Sequence, residues 1–142
     1  MTKVRTSVHE SLDDFASPVR RVEKPWGYEL IYAVSEEYCG KVLFVRAGEA
    51  LSLQLHARKD ETIYVQSGRA QMEIGFVDGG LRYEVVEPGR SFRIRPGVVH
   101  RMRALDDTTF LEVSTPELED VIRLDDRYGR VDGAEPDVSG AA

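Results

Sequence analysis

The chain has 142 residues, of which 42% are hydrophobic and 31% charged, and a net charge of −6. That is the length of one domain and the composition of a globular one, outside the range of disordered chains. The acidic balance and the lack of a long basic block argue against nucleic acid as a partner, and no apolar run approaches the about 18 residues of a membrane span. The N-terminus, MTKVRTSVHE, lacks the apolar centre of a secretion signal. Cys39 is the single cysteine and has no internal partner, so the expected compartment is the reducing cytoplasm.

Residues 1–23 are polar and show no sustained periodicity, which reads as a flexible arm; His9, inside it, reads as a solvated terminal histidine. From residue 24 the chain reads as one domain extending to residue 130. Runs rich in Val, Ile, Tyr, Phe and Thr occupy 28–33, 41–47, 51–56, 61–66, 69–77, 81–87, 91–95, 99–104 and 108–114. Gly40, Gly48, Gly68, Asp78–Gly79–Gly80, Pro88–Gly89 and Pro96–Gly97 punctuate them at the spacing of a β-sandwich or barrel, and Asp-Gly-Gly is a hairpin signal. A short stretch near Pro116–Asp120 is the lone helical candidate. The tail, 131–142, is small and acidic and reads as disordered. The expectation is an all-β fold of two antiparallel sheets closed on one core.

The chemistry concentrates in GEALSLQLHARKDETIYVQSG, residues 48–68. Leu51, Leu53 and Leu55 alternate with Ser52, Gln54 and His56, so a strand puts Gln54 and His56 on one face. Pairing of this strand with the next, which opens at Glu61, would bring that carboxylate beside them. An amide oxygen, an imidazole and a carboxylate suit a divalent metal that needs one more ligand. His100 supplies the candidate: alternation sets it with Met102 and Ala104 on an inward face, while Arg101 and Arg103 point away. Buried polar groups of this kind need compensation, which a metal provides together; a metal-free hydrogen-bonded cluster is the alternative. These donors permit zinc, iron, manganese or nickel.

The two stretches resemble the paired motifs of the cupin superfamily, G-x5-H-x-H-x3/4-E-x6-G and G-x5-P-x-G-x2-H-x3-N. Gly48, Gln54, His56, Glu61 and Gly68 match the first, with Gln54 in place of its first His. Gly89, Gly97 and His100 match the second, whose proline is displaced to Pro96 and whose Asn is Ala104. A Gln-His-Glu-His set, with KPWGYE (24–29), LSLQLH (51–56) and EDVIRLDDRYGR (119–130), resembles the isomerase domain of type II phosphomannose isomerases over about residues 24–130. The resemblance implies a jelly-roll barrel, zinc on Gln54, His56, Glu61 and His100, and conversion of mannose 6-phosphate to fructose 6-phosphate.

That reaction moves a proton between C1 and C2 and needs a base, stabilisation of an enediolate and cations for the phosphate. Arg123 matches the arginine of the family's C-terminal motif and is the candidate for phosphate or enediolate contact; a surface pairing with Asp120 or Asp126 is its alternative. Glu112 is the candidate base. Arg58 and Lys59, in the turn after His56, are candidate phosphate ligands or a solvated turn. HARKDE lacks the further histidines usual there in the type II pattern. Trp26 reads as packing over a barrel end. A different metal-dependent cupin enzyme (oxygenase, epimerase or lyase) and a non-catalytic sugar-binding cupin remain alternatives. Exposed strand edges favour a homodimer.

Overall fold

A computed structural model describes residues 15–131. Its elements are β1 (Arg20–Lys24), β2 (Gly27–Val34), β3 (Cys39–Val45), β4 (Leu53–Leu55), β5 (Glu61–Ser67), β6 (Ala70–Gly75), β7 (Arg82–Val86), β8 (Ser91–Ile94), β9 (Val99–Ala104), β10 (Thr108–Ser114) and β11 (Ile122–Asp125). They form a six-stranded sheet, β1-β2-β3-β10-β5-β8, and a five-stranded sheet, β11-β4-β9-β6-β7. Every pairing is antiparallel. The two sheets face each other as the jelly roll expected from the strand spacing.

Three expectations change. Residues 20–23 are not part of a loose arm: Arg20–Lys24 pairs with β2 along its whole length because Val22 and Lys24 alternate inward. The stretch at 116–120 is a turn rather than a helix, closed by bonds from the Leu118 N–H to the Pro116 carbonyl and from the Val121 N–H to the Glu119 carbonyl. β4 and β5 do not pair; they lie in opposite sheets, and Glu61 meets His56 across the barrel interior. The arm up to residue 14, with His9, and the tail from 132 lie outside the described residues.

The interior is divided along its length. Reading inward positions, β3 runs Lys41, Leu43, Val45; β5 runs Glu61, Ile63, Val65; β9 runs His100, Met102, Ala104. β10 runs the opposite way, Thr108, Phe110, Glu112, and its register sets Phe110 opposite Val65 and Glu112 opposite Ile63 and Lys41. One end is therefore an apolar plug of Val45, Val65, Ala70, Met72, Val86, Met102, Ala104 and Phe110. The other end carries the ionisable groups. Trp26, 3% exposed, packs into the core as expected.

Gly68 turns the chain from β5 to β6 with φ +90°, and a Cβ there would stand 2.3 Å from the Asp107 carbonyl oxygen. Backbone in this region costs a residue other than glycine about 1–3 kcal/mol, before the clash is counted. Gly68→Ala is therefore expected to lower the unfolding free energy by at least that amount in chemical denaturation. An unchanged midpoint would show that the turn relaxes.

Candidate metal centre and cavity

His56 follows β4, and its position is set from both ring nitrogens. Its Nδ1 lies 2.5 Å from the Asp120 carbonyl oxygen and its Nε2 lies 3.2 Å from Glu61 Oε1. His100, on β9, repeats the pattern: Nδ1 lies 3.0 Å from the Val98 carbonyl oxygen and Nε2 lies 3.2 Å from the same Glu61 oxygen. A carbonyl only accepts, so each Nδ1 carries the proton and donates it. In a neutral imidazole Nε2 is then bare. Two lone pairs point at one carboxylate oxygen, and all three groups are buried.

A cation resolves that contact. Ligand atoms about 2.0–2.2 Å from a shared divalent ion lie roughly 3.0–3.4 Å from one another, depending on geometry. The two 3.2 Å separations fall in that window, and all three candidate atoms lie within 4.8 Å of one another. His100 Nε2 is buried without a hydrogen-bond partner, as a ligand atom would be. The metal-free alternative needs extra protons on these buried groups, beside the Lys59 ammonium that already bridges Glu61 and Glu112. The residues fit a divalent metal.

Gln54 stands directly across from His100 in the β4–β9 register, and its Oε1 accepts a 2.9 Å bond from the Ser52 hydroxyl. An amide oxygen has a second lone pair, so the Ser52 bond orients Gln54 and leaves it capable of ligation. The Gly97 N–H donates to the His56 carbonyl at 2.8 Å, tying the turn before β9 to the end of β4.

Asp120 has a role the sequence did not advertise. Its carboxylate accepts from the backbone N–H groups of Ala57, Arg58 and Lys59 at 3.0, 2.6 and 2.8 Å, while its carbonyl holds His56. Burial works against ionisation, but these N–H groups outweigh it and hold the carboxyl below its usual range. Spacing gives no hint of this, since Asp120 lies more than 60 residues along the chain from the turn it organises.

The turn separates the two cations expected together at the rim. Arg58 is exposed and does not line the cavity. Lys59 goes inside, 4% exposed, with Nζ 3.1 Å from Glu61 Oε2 and 3.1 Å from Glu112 Oε2. Burial opposes its charge, but Glu112 and Glu61 together raise its pKa. Burial would likewise lift the Glu61 carboxyl, yet its surroundings, the Lys59 charge among them, hold it well below the usual range. Glu112 behaves differently: burial, reinforced by the Glu61 charge and opposed by Lys59 and Lys41, lifts its pKa to about 7.

These groups open onto a cavity of ≈ 140 Å³. Gln54, His56, Glu61, Lys59, Glu112 and Arg123 all line it. Arg123 sits on β11 opposite Gln54. Of the acids weighed as its surface partners, Asp126 takes a two-pronged bond from Arg130, at 3.0 and 3.1 Å, with the Arg123 charge also acting on it, and Asp120 holds the turn. Lys24, Glu29, Lys41 and Arg130, which the sequence reading left unassigned, also line the wall.

His56→Ala or His100→Ala is expected to abolish stoichiometric metal binding. Asp120→Ala, which frees the 57–59 turn without removing a ligand, is expected to weaken zinc affinity by about 10–100-fold. Competition with a chromophoric chelator measures both, and full zinc affinity in the histidine variants would place the metal elsewhere.

A family model described as a cupin domain matches residues 41–114. Mannose-1-phosphate guanylyltransferase of Escherichia coli K12 is 35% identical over 118 residues, 79% of this chain and 23% of that protein. Xanthan biosynthesis protein XanB of Xanthomonas campestris pv. campestris is 29% identical over 116 residues, 78% of this chain and 24% of that one. The chain thus spans about a quarter of the length of the curated relatives it matches. Among solved structures, the capsular polysaccharide assembling protein CapF of Staphylococcus aureus superposes with a TM-score of 0.65 at 19% identity, over 82% of this chain and 35% of that one. Oxalate decarboxylase of Bacillus subtilis, described for its Mn(II) centers, superposes with a TM-score of 0.64 at 22% identity, over 73% and 29%. The structural likenesses share the fold, the sequence match covers both motif stretches, and the chain belongs to the cupin family.

Proposed function

We propose that the chain is a metal-dependent aldose–ketose isomerase of the phosphomannose isomerase type, interconverting mannose 6-phosphate and fructose 6-phosphate in the cytoplasm with zinc at the His56–Glu61–His100 centre and Gln54 as a further ligand. The observation that carries the reading is the cavity wall where this cluster meets Glu112, a buried carboxyl whose pKa of about 7 suits it to take up and return a proton near neutral pH. The likeness to a protein named for mannose 1-phosphate, and the KPWGYE and EDVIRLDDRYGR stretches, support a sugar phosphate as substrate.

The ionised Glu112 takes the proton from C2 of the open-chain aldose. The C–H electrons form the C1–C2 double bond, and the carbonyl electrons move onto O1. Glu112 then returns the proton to C1, O2 loses its proton to O1, and the C2 carbonyl of the ketose forms. Arg123 faces the same cavity and donates to the oxygen that gains charge. Lys59 holds Glu112 and Glu61 in one geometry, so that the base and the metal centre move together. A bound divalent ion would supply Lewis acidity to the sugar oxygens.

The test is an NMR time course of zinc-loaded protein with mannose 6-phosphate in D2O. Fructose 6-phosphate is expected to appear, with deuterium entering at the exchanging carbon. Glu112→Gln is expected to reduce kcat by about 10²–10⁴-fold with metal content unchanged. No conversion by folded protein loaded with zinc, cobalt or manganese would reject the reading and leave a binding cupin or a different metal chemistry.

A homodimer is part of this proposal. An antiparallel sheet with one face in water alternates apolar-in with polar-out. The outward residues of β2, β3, β10 and β5 instead include Leu30, Val42, Leu111, Val113 and Tyr64, with Tyr28 stacked on Phe44 at 5.1 Å. Such a continuous patch suits a second copy of the same sheet, and the mixed-charge pairs Arg21–Glu23 and Asp60–Arg93 lie on its two flanks. Sedimentation is expected to give a dimer at micromolar concentration and a monomer for Val113→Arg. A wild-type monomer would reject the second copy.

A further inference from the structure

One side of the cavity is formed by neither sheet. Leu118, Glu119 and Val121, from the connection between β10 and β11, line it. Glu119 is exposed and Leu118 and Val121 are half-buried, and among the described residues neither apolar side chain packs into the core cluster. The Leu118 and Val121 N–H groups donate to carbonyls within the connection itself. A segment with few buried apolar contacts, bonded to itself, belongs to the low-stability end of a fold.

Its fastenings are polar, and both ends are tied to the crossing that follows β4 and carries His56. At the start, the Thr115 N–H donates to the Asp60 carbonyl at 3.0 Å, and the Asp60 N–H donates to Thr115 Oγ1 at 3.1 Å. At the end, Asp120 works in two directions. Its carboxylate accepts from the three N–H groups of 57–59, and its carbonyl accepts from His56 Nδ1. Bonds to a charged acceptor are the strong ones, so the carboxylate is the latch.

We propose that residues 115–121 form a hinged cover over the cavity, latched by Asp120, and that lifting the cover and releasing the His56 ring are one event. The Asp120 carbonyl stays on the ring only while the carboxylate holds that residue against the 57–59 turn. A displacement that breaks the latch carries the carbonyl away and leaves Nδ1 without its acceptor. His100 is oriented independently, since its Nδ1 donates to the Val98 carbonyl, in the turn before β9. By linkage, a ligand that keeps the cover shut also keeps the His56 ring in place, and whatever holds the ring keeps the cover shut. The cover requires only the latch and stands apart from the isomerase reading.

The test is hydrogen exchange followed by NMR in the full chain, metal-free and zinc-loaded. The Leu118 and Val121 amide hydrogens report the cover, and the Nδ1 protons of His56 and His100 report the two rings. In D120A the cover amides and the His56 ring proton are expected to exchange faster together, by at least about 10-fold, the worth of one hydrogen bond to a charged group. The His100 ring proton and the β9 amides are expected to keep their wild-type rates, which also shows that the variant is folded. D120N, which keeps an acceptor oxygen without the charge, is expected to show the same paired change at smaller size. A His56 ring proton that keeps its wild-type rate while the cover amides accelerate would overturn the coupling. Cover amides unchanged in D120A would overturn the latch. Paired acceleration in a chain that does not turn over mannose 6-phosphate keeps the cover and rejects the isomerase.

Discussion

Two imidazole nitrogens, both electron-rich, are each held 3.2 Å from one carboxylate oxygen inside the barrel, and the candidate site is built to maintain that contact. The arrangement is unfavourable by itself, because both Nδ1 protons are committed to carbonyl groups and cannot be moved to relieve it. What opposes it is backbone. The Val98 carbonyl belongs to the turn entering β9, and the Asp120 carbonyl belongs to a segment pinned by three N–H bonds from the 57–59 turn. A candidate metal site whose two histidines are oriented by backbone is preorganised for an ion.

The two-sheet architecture makes this possible. Glu61 opens a strand of the six-stranded sheet, whereas His56 and His100 come from the five-stranded one, so the cluster closes the gap between layers. Local chain geometry would not have achieved it: four residues lie between His56 and Glu61, and they cross from one sheet to the other. Lys59, in the middle of that crossing, is carried inside and becomes the bridge between Glu61 and Glu112.

Much of this was legible in the chain itself. Period-two alternation assigned His100 to the inner face with Met102 and Ala104, and both are buried there. The Gly and Pro punctuation marked strands close to β2, β3 and β5–β10, since positive-φ turns leave a strong trace in sequence. β1 and β11 were illegible as strands because five and four residues give too few alternations to stand out from polar surroundings. The inward turn of Lys59 and the pinning by Asp120 were illegible for another reason. Both depend on contacts made only once the β10–β11 connection lies against the 57–59 turn, and no local pattern encodes that. Strand pairing failed likewise: neighbours in sequence usually pair, but here β3, β4, β5 and β6 fall alternately in the two sheets.

The division of the barrel into an apolar plug and a charged cavity explains how one small core carries so many buried ions. The inward rows of β3, β5 and β9 each begin with a charged or polar group and continue with two apolar ones, as in Glu61, Ile63, Val65 and His100, Met102, Ala104. The desolvation cost is confined to one end, where buried ions of opposite sign pair, as Lys59 does with Glu61 and Glu112. The plug at the other end, with Phe110, Val45 and Val65 fully buried, supplies burial free energy of about 1.5–3 kcal/mol for each large side chain. Charged groups set on rigid strands above such a plug keep their spacing when the cavity fills or empties. The same strands that stabilise the fold therefore fix the distances between the groups of the candidate site.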